Sequence, residues 1–268
     1  MRTIGFINWK GGVGKTTISI NTAFALAQEY NPGNQIKLLF IDADKQGNAS
    51  RWFGADTSKG SLTDILLNDT PAKEVIQHTR YPNIDIIPAD ASLIQANYAV
   101  LGDQSRRQDN ILKESLESVK NEYALCIIDN PPDSNLPVLN CLEVIDDLIA
   151  VTLPNRFSVD GVYELQNELD NYNRDLQLSL FIRGVIINQY TPFNSPIFHE
   201  LRDEHKYHLF PFIRGGNCAQ HWLDKCINEQ KSIFEVSSRS GYAQDLKRFI
   251  QKLGDVIMAD ENHTSVIW

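Results

Sequence analysis

The feature that most constrains this chain is a glycine-rich stretch near its start, KGGVGKTT at residues 10–17. It directly follows the apolar run 3–8, which is typical of a buried strand, and a helical pattern begins at about Lys15. Three glycines in four positions let successive backbone N–H groups point at one anionic ligand, and the helix adds its positive N-terminal end. The stretch therefore predicts a phosphate-binding turn of an α/β fold. The alternative is a glycine-rich turn that binds no nucleotide.

The polar residues of this loop have defined tasks in a phosphate site. Lys15 would reach the β- and γ-phosphates, and the Thr16 hydroxyl would ligate Mg²⁺. The general phosphate-loop pattern has a glycine at the position of Trp9, so the ordinary pattern fails, and a second lysine stands at the start of the loop. The residues expected to contact the nucleotide here are Lys10, Gly11, Gly12, Val13, Gly14, Lys15, Thr16 and Thr17.

Composition and charge narrow the class of protein. A chain of 268 residues, 42% hydrophobic and 22% charged, can bury the core of one large α/β domain. No apolar run approaches the roughly 18 residues that span a bilayer, and a strand-like segment stands in place of a signal peptide, so we expect a cytoplasmic protein without membrane contact. The four cysteines form no C-x-x-C pair and are expected to be reduced core residues. Because the net charge is −9, contact with nucleic acid needs a local basic patch.

Strand-like and helix-like segments alternate along the chain, which predicts a doubly wound, mostly parallel sheet with helices on both faces. Strands are expected at 3–8, 36–42, 84–87, 123–129, 148–153, 182–188 and 209–213. Helices are expected at 16–30, 62–67, 72–77, 93–121 with a break near 102–103, 159–172, 195–205, 218–227 and 242–258. Residues 1–259 are expected to form a single domain, and 260–268 a mobile tail.

Polar residues stand at the ends of several predicted strands, where parallel sheets bind their ligands. Asp42 and Asp44 end the second strand, and Asp129 ends the apolar run YALCIID. Asn188 follows a later strand. Taken singly, an Asp at a strand end is also a common N-cap and an Asn a common turn residue. Their joint occurrence with the loop favours a nucleotide site.

Together these motifs resemble the ParA/MinD family of NTPases, which has a deviant Walker A box with two lysines. Residues 10–17 match its K-G-G-x-G-K-T-T pattern, and IIDNPP at 127–132 is similar to its I-I-D-x-P-P segment. Residues 42–48 resemble its D-x-D-P-Q-G-N box with Lys45 in place of Pro, and IDIIPAD at 84–90 looks like its l-D-l-I-P-A box. The resemblance covers most of the chain. It is nearest to small ParA-type partition ATPases without an N-terminal helix-turn-helix domain.

The resemblance implies a P-loop NTPase fold that binds ATP with Mg²⁺ and hydrolyses it to ADP and phosphate. Thr16, Asp42 and Asp129 would surround Mg²⁺, with Asp42 either closing the metal shell or holding Thr16, and Asp129 acting through water. Asp44 stands where the family orients the attacking water. The residues with catalytic roles would be Lys10, Lys15 and Asp44.

Two more positions match nucleotide contacts of the family. Asn188 matches its adenine-contacting asparagine, whose amide can meet both a donor and an acceptor of the base. Arg214 matches the arginine of its I-P-R-N segment, but this chain has FIRGG at 212–216, without the proline and with two glycines.

The resemblance also implies a homodimer held together by ATP. In the family, the lysine that matches Lys10 contacts the phosphates held by the other subunit. Two facing nucleotides carry about eight negative charges, and a lysine from each side offsets their repulsion. Hydrolysis is slow because the water-orienting carboxylate works without a built-in arginine finger, so a ParB-like partner protein can set the rate.

The function implied is plasmid or chromosome partition, through ATP-dependent and non-specific DNA binding that would place the protein on the nucleoid. The expected DNA contacts are Arg214, Arg239, Lys247, Arg248 and Lys252. The alternative for these residues is a solvated helix face. A ParA-like ATPase that positions a protein complex also stays open, and less so a MinD-like membrane switch, because acidic residues follow the last predicted helix. A nitrogenase-type iron protein, a tyrosine kinase and a dethiobiotin-type ligase fit the motifs less well.

Overall fold

Seven strands form one sheet in the part of the chain that the computed structural model describes, residues 1–31, 33, 35–102, 108–191 and 207–260. The strands are β1 (Arg2–Ile7), β2 (Leu38–Asp42), β3 (Gln77–His78), β4 (Ile84–Ile87), β5 (Leu125–Asp129), β6 (Asp147–Thr152) and β7 (Ile182–Ile187). Their order is β3-β4-β2-β5-β1-β6-β7, and only β3 and β4 pair antiparallel. The predicted doubly wound, mostly parallel sheet is confirmed.

Helices connect these strands and cover the sheet. They are α1 (Lys15–Phe24), α2 (Asn48–Phe53), α3 (Leu62–Asn68), α4 (Ala72–Val75), α5 (Leu93–Gly102), α6 (Ile111–Leu116), α7 (Leu136–Leu142), α8 (Arg156–Leu176), α9 (Asn217–Glu229), α10 (Ile233–Ser237) and α11 (Gly241–Asp260). A π-helical turn, Ala25–Glu29, continues α1, and a short 3₁₀ turn covers Thr57–Lys59. Within the described residues, we find no helix that combines the length and hydrophobicity needed to cross a membrane.

The sheet separates two hydrophobic cores. Along β2, Leu38 and Phe40 enter one core, whereas Leu39 and Ile41 enter the other. The alternation follows from the strand period of two, and it requires both faces to be covered. Side chains of α1, α10 and α11 pack into the first core, and side chains of α3 to α8 into the second.

The carboxyl ends of five neighbouring strands meet at one edge of the sheet, because β2, β5, β1, β6 and β7 are all parallel. Asp42 pairs in register with Asp129. Phe6 of β1 also lies beside Asp129, and Thr152 pairs with Ile187. The loops that follow these strands therefore leave the sheet side by side, as ligand binding at this edge requires.

Two predicted segments differ from the structure. The strand expected at 209–213 is wrong as a regular strand, because Leu209 and Arg214 form only isolated bridges with β7 and with Tyr190. The N–H groups of Phe210 and Ile213 donate to the carbonyl oxygens of Val185 and Ile187 in β7, so a step of three residues in this segment matches a step of two in β7, and no regular ladder forms. The helical segment expected over 93–121, with a break near 102–103, contains two helices: α5 ends at Gly102, as expected, whereas α6 ends at Leu116, five residues before the expected end.

Other elements were missed or cannot be compared. The pattern did not predict α2, α7, α10 or β3, which have two to seven residues each, too few for a period to be recognised. The helix expected at 195–205 and residues 261–268 of the expected tail lie outside the described residues, and α11 extends to Asp260.

Candidate functional site

The glycine-rich loop joins β1 to α1 and turns on two left-handed glycines. Gly12 has a φ of 74° and Gly14 a φ of 96°, conformations that favour glycine. A Cβ at Gly14 would lie 2.2 Å from Nδ2 of Asn188, whereas a Cβ at Gly11 or Gly12 would meet no heavy atom of the described residues within 4 Å. The loop is therefore packed on one side and open to a ligand on the other.

Lys15 lies inside this loop. The side chain is buried, and its Nζ donates to the carbonyl oxygen of Asn8 at 3.0 Å and to that of Lys10 at 3.3 Å. Burial lowers the pKa of Lys15, and the charges of Asp129 and Asp44 act in the opposite direction. The ammonium therefore sits in a partly dehydrated position between acidic residues, where an anionic ligand would be strongly attracted.

Thr16 and Thr17 open α1 and line one wall of a cavity of about 470 Å³. The opposite walls come from α2 and α9. Gln230, which directly follows α9, donates through Nε2 to the carbonyl oxygen of Arg51 at 3.0 Å. Leu223 of α9 borders this cavity and also a second one of about 250 Å³. Space for a ligand larger than phosphate therefore lies directly beside the loop.

Asp42 is fully buried at the end of β2 and organises the segment that follows. One carboxylate oxygen accepts from the Ser50 backbone N–H at 2.8 Å and from the Ser50 hydroxyl at 2.7 Å. The other oxygen accepts from the Asp44 N–H at 3.1 Å. Burial raises the pKa of Asp42 to about 6. The contacts of Asp42 in the structure are thus with Ser50 and Asp44, a structural role that the sequence motif did not reveal.

Asp129 is a buried acidic group of the site whose carboxylate oxygens lack hydrogen bonds. It is only 1% exposed, and neither carboxylate oxygen completes a hydrogen bond with the described residues. Burial raises its pKa, as does the neighbouring charge of Asp42, while the nearby Thr16 hydroxyl and Lys15 ammonium lower it. A buried carboxylate that has Thr16 and Lys15 nearby but completes no hydrogen bond is the chemistry expected of a group that meets a cation when the ligand is present.

Asp44 forms a tight turn at the same edge. Its side chain accepts from the Gln46 N–H at 2.9 Å, and its carbonyl oxygen accepts from the Gly47 N–H at 2.8 Å. The side chain is partly exposed, and its charge acts on Lys15. The Asp44 carboxylate is therefore within electrostatic reach of Lys15, and its role toward a water stays a prediction.

Asn188 and Arg214 lie beyond the end of β7, the edge strand of the sheet, and Asn188 reaches the phosphate loop. Asn188 is buried, and its Nδ2 donates to the carbonyl oxygen of Val13 at 2.9 Å. Arg214 lines the cavity of about 250 Å³ together with Gln189 and Tyr242. The contact of Asn188 with the loop was not predicted. The sequence pattern indicated only the end of the strand at which the asparagine stands.

Lys10 lies at the rim of the loop and points toward α8. Its Nζ donates to Oε2 of Glu164 at 3.0 Å, and both side chains are partly exposed. Gly161 makes room for the lysine stem, because a Cβ there would lie 2.8 Å from Cγ of Lys10. The loop-forming backbone N–H of Lys10 donates to Oδ1 of Asn8 at 2.8 Å. Glu164 is a partner that the sequence analysis missed.

The five basic residues expected to contact DNA fall into two groups: two arginines share one buried carboxylate, and the other three residues do not. Arg214 donates to the buried Asp245 through its backbone N–H at 2.9 Å and through Nε at 2.6 Å, and Arg248 pairs with the same carboxylate. Both guanidinium groups remain about half exposed. The other three are the exposed Arg239, Lys247 above the Phe234 ring at 5.7 Å, and Lys252 at 3.7 Å from Asp255.

Comparison with known proteins gives concordant matches. Residues 1–182 match the family model described as an AAA domain. The chromosome partitioning protein ParA of Caulobacter vibrioides is 33% identical over 199 residues, which are 73% of this chain and 72% of that protein. The virulence plasmid ParA family protein pGP5-D of Chlamydia psittaci is 29% identical over 268 residues, 97% of each chain.

A solved structure shows the same fold. The septum site-determining protein MinD of Pyrococcus horikoshii OT3, complexed with Mg-ADP, is 22% identical and superposes with a TM-score of 0.74. The match covers 97% of this chain and 99% of that protein.

Proposed function

Because this chain belongs to the ParA/MinD family of ATPases, we propose that it binds ATP with Mg²⁺ at the phosphate loop and hydrolyses it slowly. The observation that carries the proposal is Asp129, whose buried carboxylate has no hydrogen-bond partner among the described residues. Burying such a group unpaired is costly. A divalent cation held by Asp129 when the nucleotide is bound would supply positive charge that compensates that cost.

The residues at this position fit magnesium. Mg²⁺ takes hard oxygen ligands and usually combines one or two carboxylates with substrate phosphates. Thr16, Asp42 and Asp129 would hold it, the carboxylates directly or through water. Among the described residues, this site included, no three or more acidic, histidine or cysteine side chains form a cluster that could hold a metal ion. When bound, the cation would neutralise charge on the transferred phosphoryl group.

Hydrolysis rests on Asp44 and Lys15 in this proposal. Lys15 would leave the loop carbonyls for the phosphates, which are stronger acceptors for an ammonium. Asp44 would orient the attacking water. We expect hydrolysis by the protein alone to be slow, and we expect a ParB-like partner protein to accelerate it.

Nucleotide binding would drive the formation of a homodimer. Lys10 of each subunit would contact the phosphates held by the other subunit and offset the repulsion between the two nucleotides. To do so, Lys10 must leave Glu164, which it contacts at 3.0 Å within its own chain.

For the dimer we propose plasmid or chromosome partition by non-specific DNA binding, which would place a cytoplasmic protein on the nucleoid. The support is the pair of half-exposed arginines, Arg214 and Arg248, held side by side by Asp245. Two guanidinium groups in fixed orientation suit phosphate oxygens. ATP-dependent dimerisation would place two such patches on one particle and raise the affinity for DNA.

The same contacts also favour a second candidate function, the positioning of a protein complex. Asp245 offsets one of the two arginine charges, and the chain as a whole carries a net charge of −9. A patch neutralised in this way binds phosphates more weakly. DNA retardation with ATP and Mg²⁺ present separates the two candidate functions.

Replacing Lys15 by alanine tests the nucleotide site. We expect the affinity for ATP with Mg²⁺, measured by calorimetry, to fall by at least roughly 30-fold, because a buried charged partner of the phosphates is removed. The matched control is Lys113→Ala, since Lys113 is an exposed lysine of α6 that pairs with Glu143. Unchanged ATP affinity in Lys15→Ala, or an equal loss in the control, would contradict the assignment.

A further inference from the structure

An ion pair joins the two loops that flank the nucleotide site. Nζ of Lys45, in the loop after β2, lies 2.8 Å from Oδ2 of Asp133, in the loop after β5. The two residues are 88 positions apart in the chain. The motif of the family has a proline at the position of Lys45. The contact is therefore made by a residue at which this chain differs from that motif.

The Asp133 side of the pair is firmly anchored. The segment leaves β5 with the Asn130 N–H donating to the carbonyl oxygen of Phe6 at 3.1 Å. It ends where the Asn135 side chain caps α7 by accepting from the Val138 N–H at 3.2 Å. Between these anchors, the prolines at 131 and 132 restrict the backbone. Asp133 is therefore carried on a segment with little freedom to move.

The Lys45 side carries the residue proposed to orient water. Lys45 directly follows Asp44, whose turn is closed by its own contacts with Gln46 and Gly47. Holding Lys45 to the anchored segment thus also restrains the turn that presents Asp44. The hydrogen bond to Asp133 raises the pKa of Lys45, so the lysine stays charged at every physiological pH.

The pair also affects the charge next to the phosphates. The charge of Asp133 acts on Lys15, as those of Asp129 and Asp44 do. A further unpaired carboxylate at this place would oppose the binding of a γ-phosphate, and the Lys45 ammonium offsets it.

We infer that the Lys45–Asp133 ion pair is a positioning element for ATP hydrolysis. It holds the Asp44 turn in a fixed position relative to the loop that follows Asp129. The inference rests on the proposed ATPase function. In this role Lys45 and Asp133 would act through Asp44 rather than by their own contact with the phosphates or the water. Such positioning matters because a misplacement of about 1 Å at a reacting group can cost roughly 100-fold in rate.

The experiment compares single-turnover ATP hydrolysis and ATP affinity in Lys45→Met, Asp133→Asn and the exchanged pair Lys45→Asp/Asp133→Lys. We expect each single variant to hydrolyse at least about tenfold more slowly with ATP affinity within about threefold of the parent. The exchanged pair should recover at least half of the decrease in the logarithm of the hydrolysis rate that the single variants show, because it restores the ion pair. Lys120→Met is the matched control, since it breaks an ion pair between two half-exposed side chains, Lys120 and Glu117.

The outcomes separate this inference from the function on which it rests. Hydrolysis within twofold of the parent in both single variants would overturn it, provided that the parent hydrolyses ATP and Lys15→Ala does not. Equal losses in Lys120→Met, or an exchanged pair no better than the worse single variant, would also overturn it. If the parent itself neither binds nor hydrolyses ATP, the proposed function fails instead.

Discussion

Lys10 donates to Glu164 at 3.0 Å within one subunit, although the proposed dimer requires the same lysine to reach the phosphates of the other subunit. The side chain lies along the surface left free by Gly161. Dimerisation would therefore exchange an ion pair within the chain for one between subunits. Since each dimer contains two such lysines, the cost of their release enters the dimerisation constant twice.

The first prediction concerns this exchange. Lys10→Ala should retain some ATP binding but stay monomeric with ATP and Mg²⁺, because the phosphates lose the lysine from the partner subunit. Glu164→Gln should dimerise more tightly than the parent. Each dimer releases two exposed Lys10–Glu164 ion pairs, one from each subunit. Their combined free energy corresponds to roughly a 2- to 30-fold change in the dimer Kd. Light scattering across a concentration series measures both effects.

The control for Glu164→Gln is Glu168→Gln, which removes the same charge one turn further along α8, where the carboxylate contacts Tyr172. A Lys10→Ala protein that dimerises normally with ATP would refute the role of Lys10 across the interface. Equal dimer affinities of Glu164→Gln and Glu168→Gln would show that the Lys10–Glu164 contact does not oppose dimerisation.

The second prediction concerns Asp44. Asp44→Ala should bind ATP with nearly the parent affinity but hydrolyse it roughly 100- to 10,000-fold more slowly, the range typical of a lost acid–base or water-orienting group. Because the nucleotide persists, the variant should accumulate as an ATP-bound dimer. Single-turnover hydrolysis by Asp44→Ala at the parent rate would mean that this carboxylate only closes its own turn.

Much of the fold and of the phosphate site could be predicted because the signals are local. The glycines, Lys15 and Thr16 lie within a few residues of one another, and the flanking strand and helix have clear periods. Asp42 and Asp129 could be brought together without knowledge of their contacts, because parallel strands share one carboxyl edge.

The contacts that organise the site could not be predicted from patterns. Lys10 with Glu164, Lys45 with Asp133, and Arg214 with Asp245 join residues 31 to 154 positions apart. A charged residue in a sequence does not specify which opposite charge it meets, since that depends on the packing of distant elements. The missing hydrogen bonds of Asp129 are likewise visible only once its surroundings are in place.

The third prediction concerns the packed side of the phosphate loop. Gly14→Ala should lower the free energy of unfolding by about 1–3 kcal/mol, because Gly14 has a left-handed φ and an added Cβ would meet Asn188 at 2.2 Å. The matched control is Gly11→Ala, at which the described residues leave open space. Urea unfolding without nucleotide measures both. Equal unfolding midpoints for the two variants would contradict the packing of Asn188 against the loop.

The last prediction concerns DNA. With ATP and Mg²⁺, the parent should retard DNA of unrelated sequences, and the effect should fall steeply with salt because phosphate contacts release counterions. The double variant Arg239→Ala/Arg248→Ala should retard it less, and four lost contacts per dimer should reduce the slope of log K against log salt by roughly three to four. The matched control, Lys113→Ala/Arg174→Ala, removes two positive charges from exposed positions of α6 and α8. Equal retardation by parent and double variant, or none by the parent, would favour the positioning of a protein complex over partition of DNA.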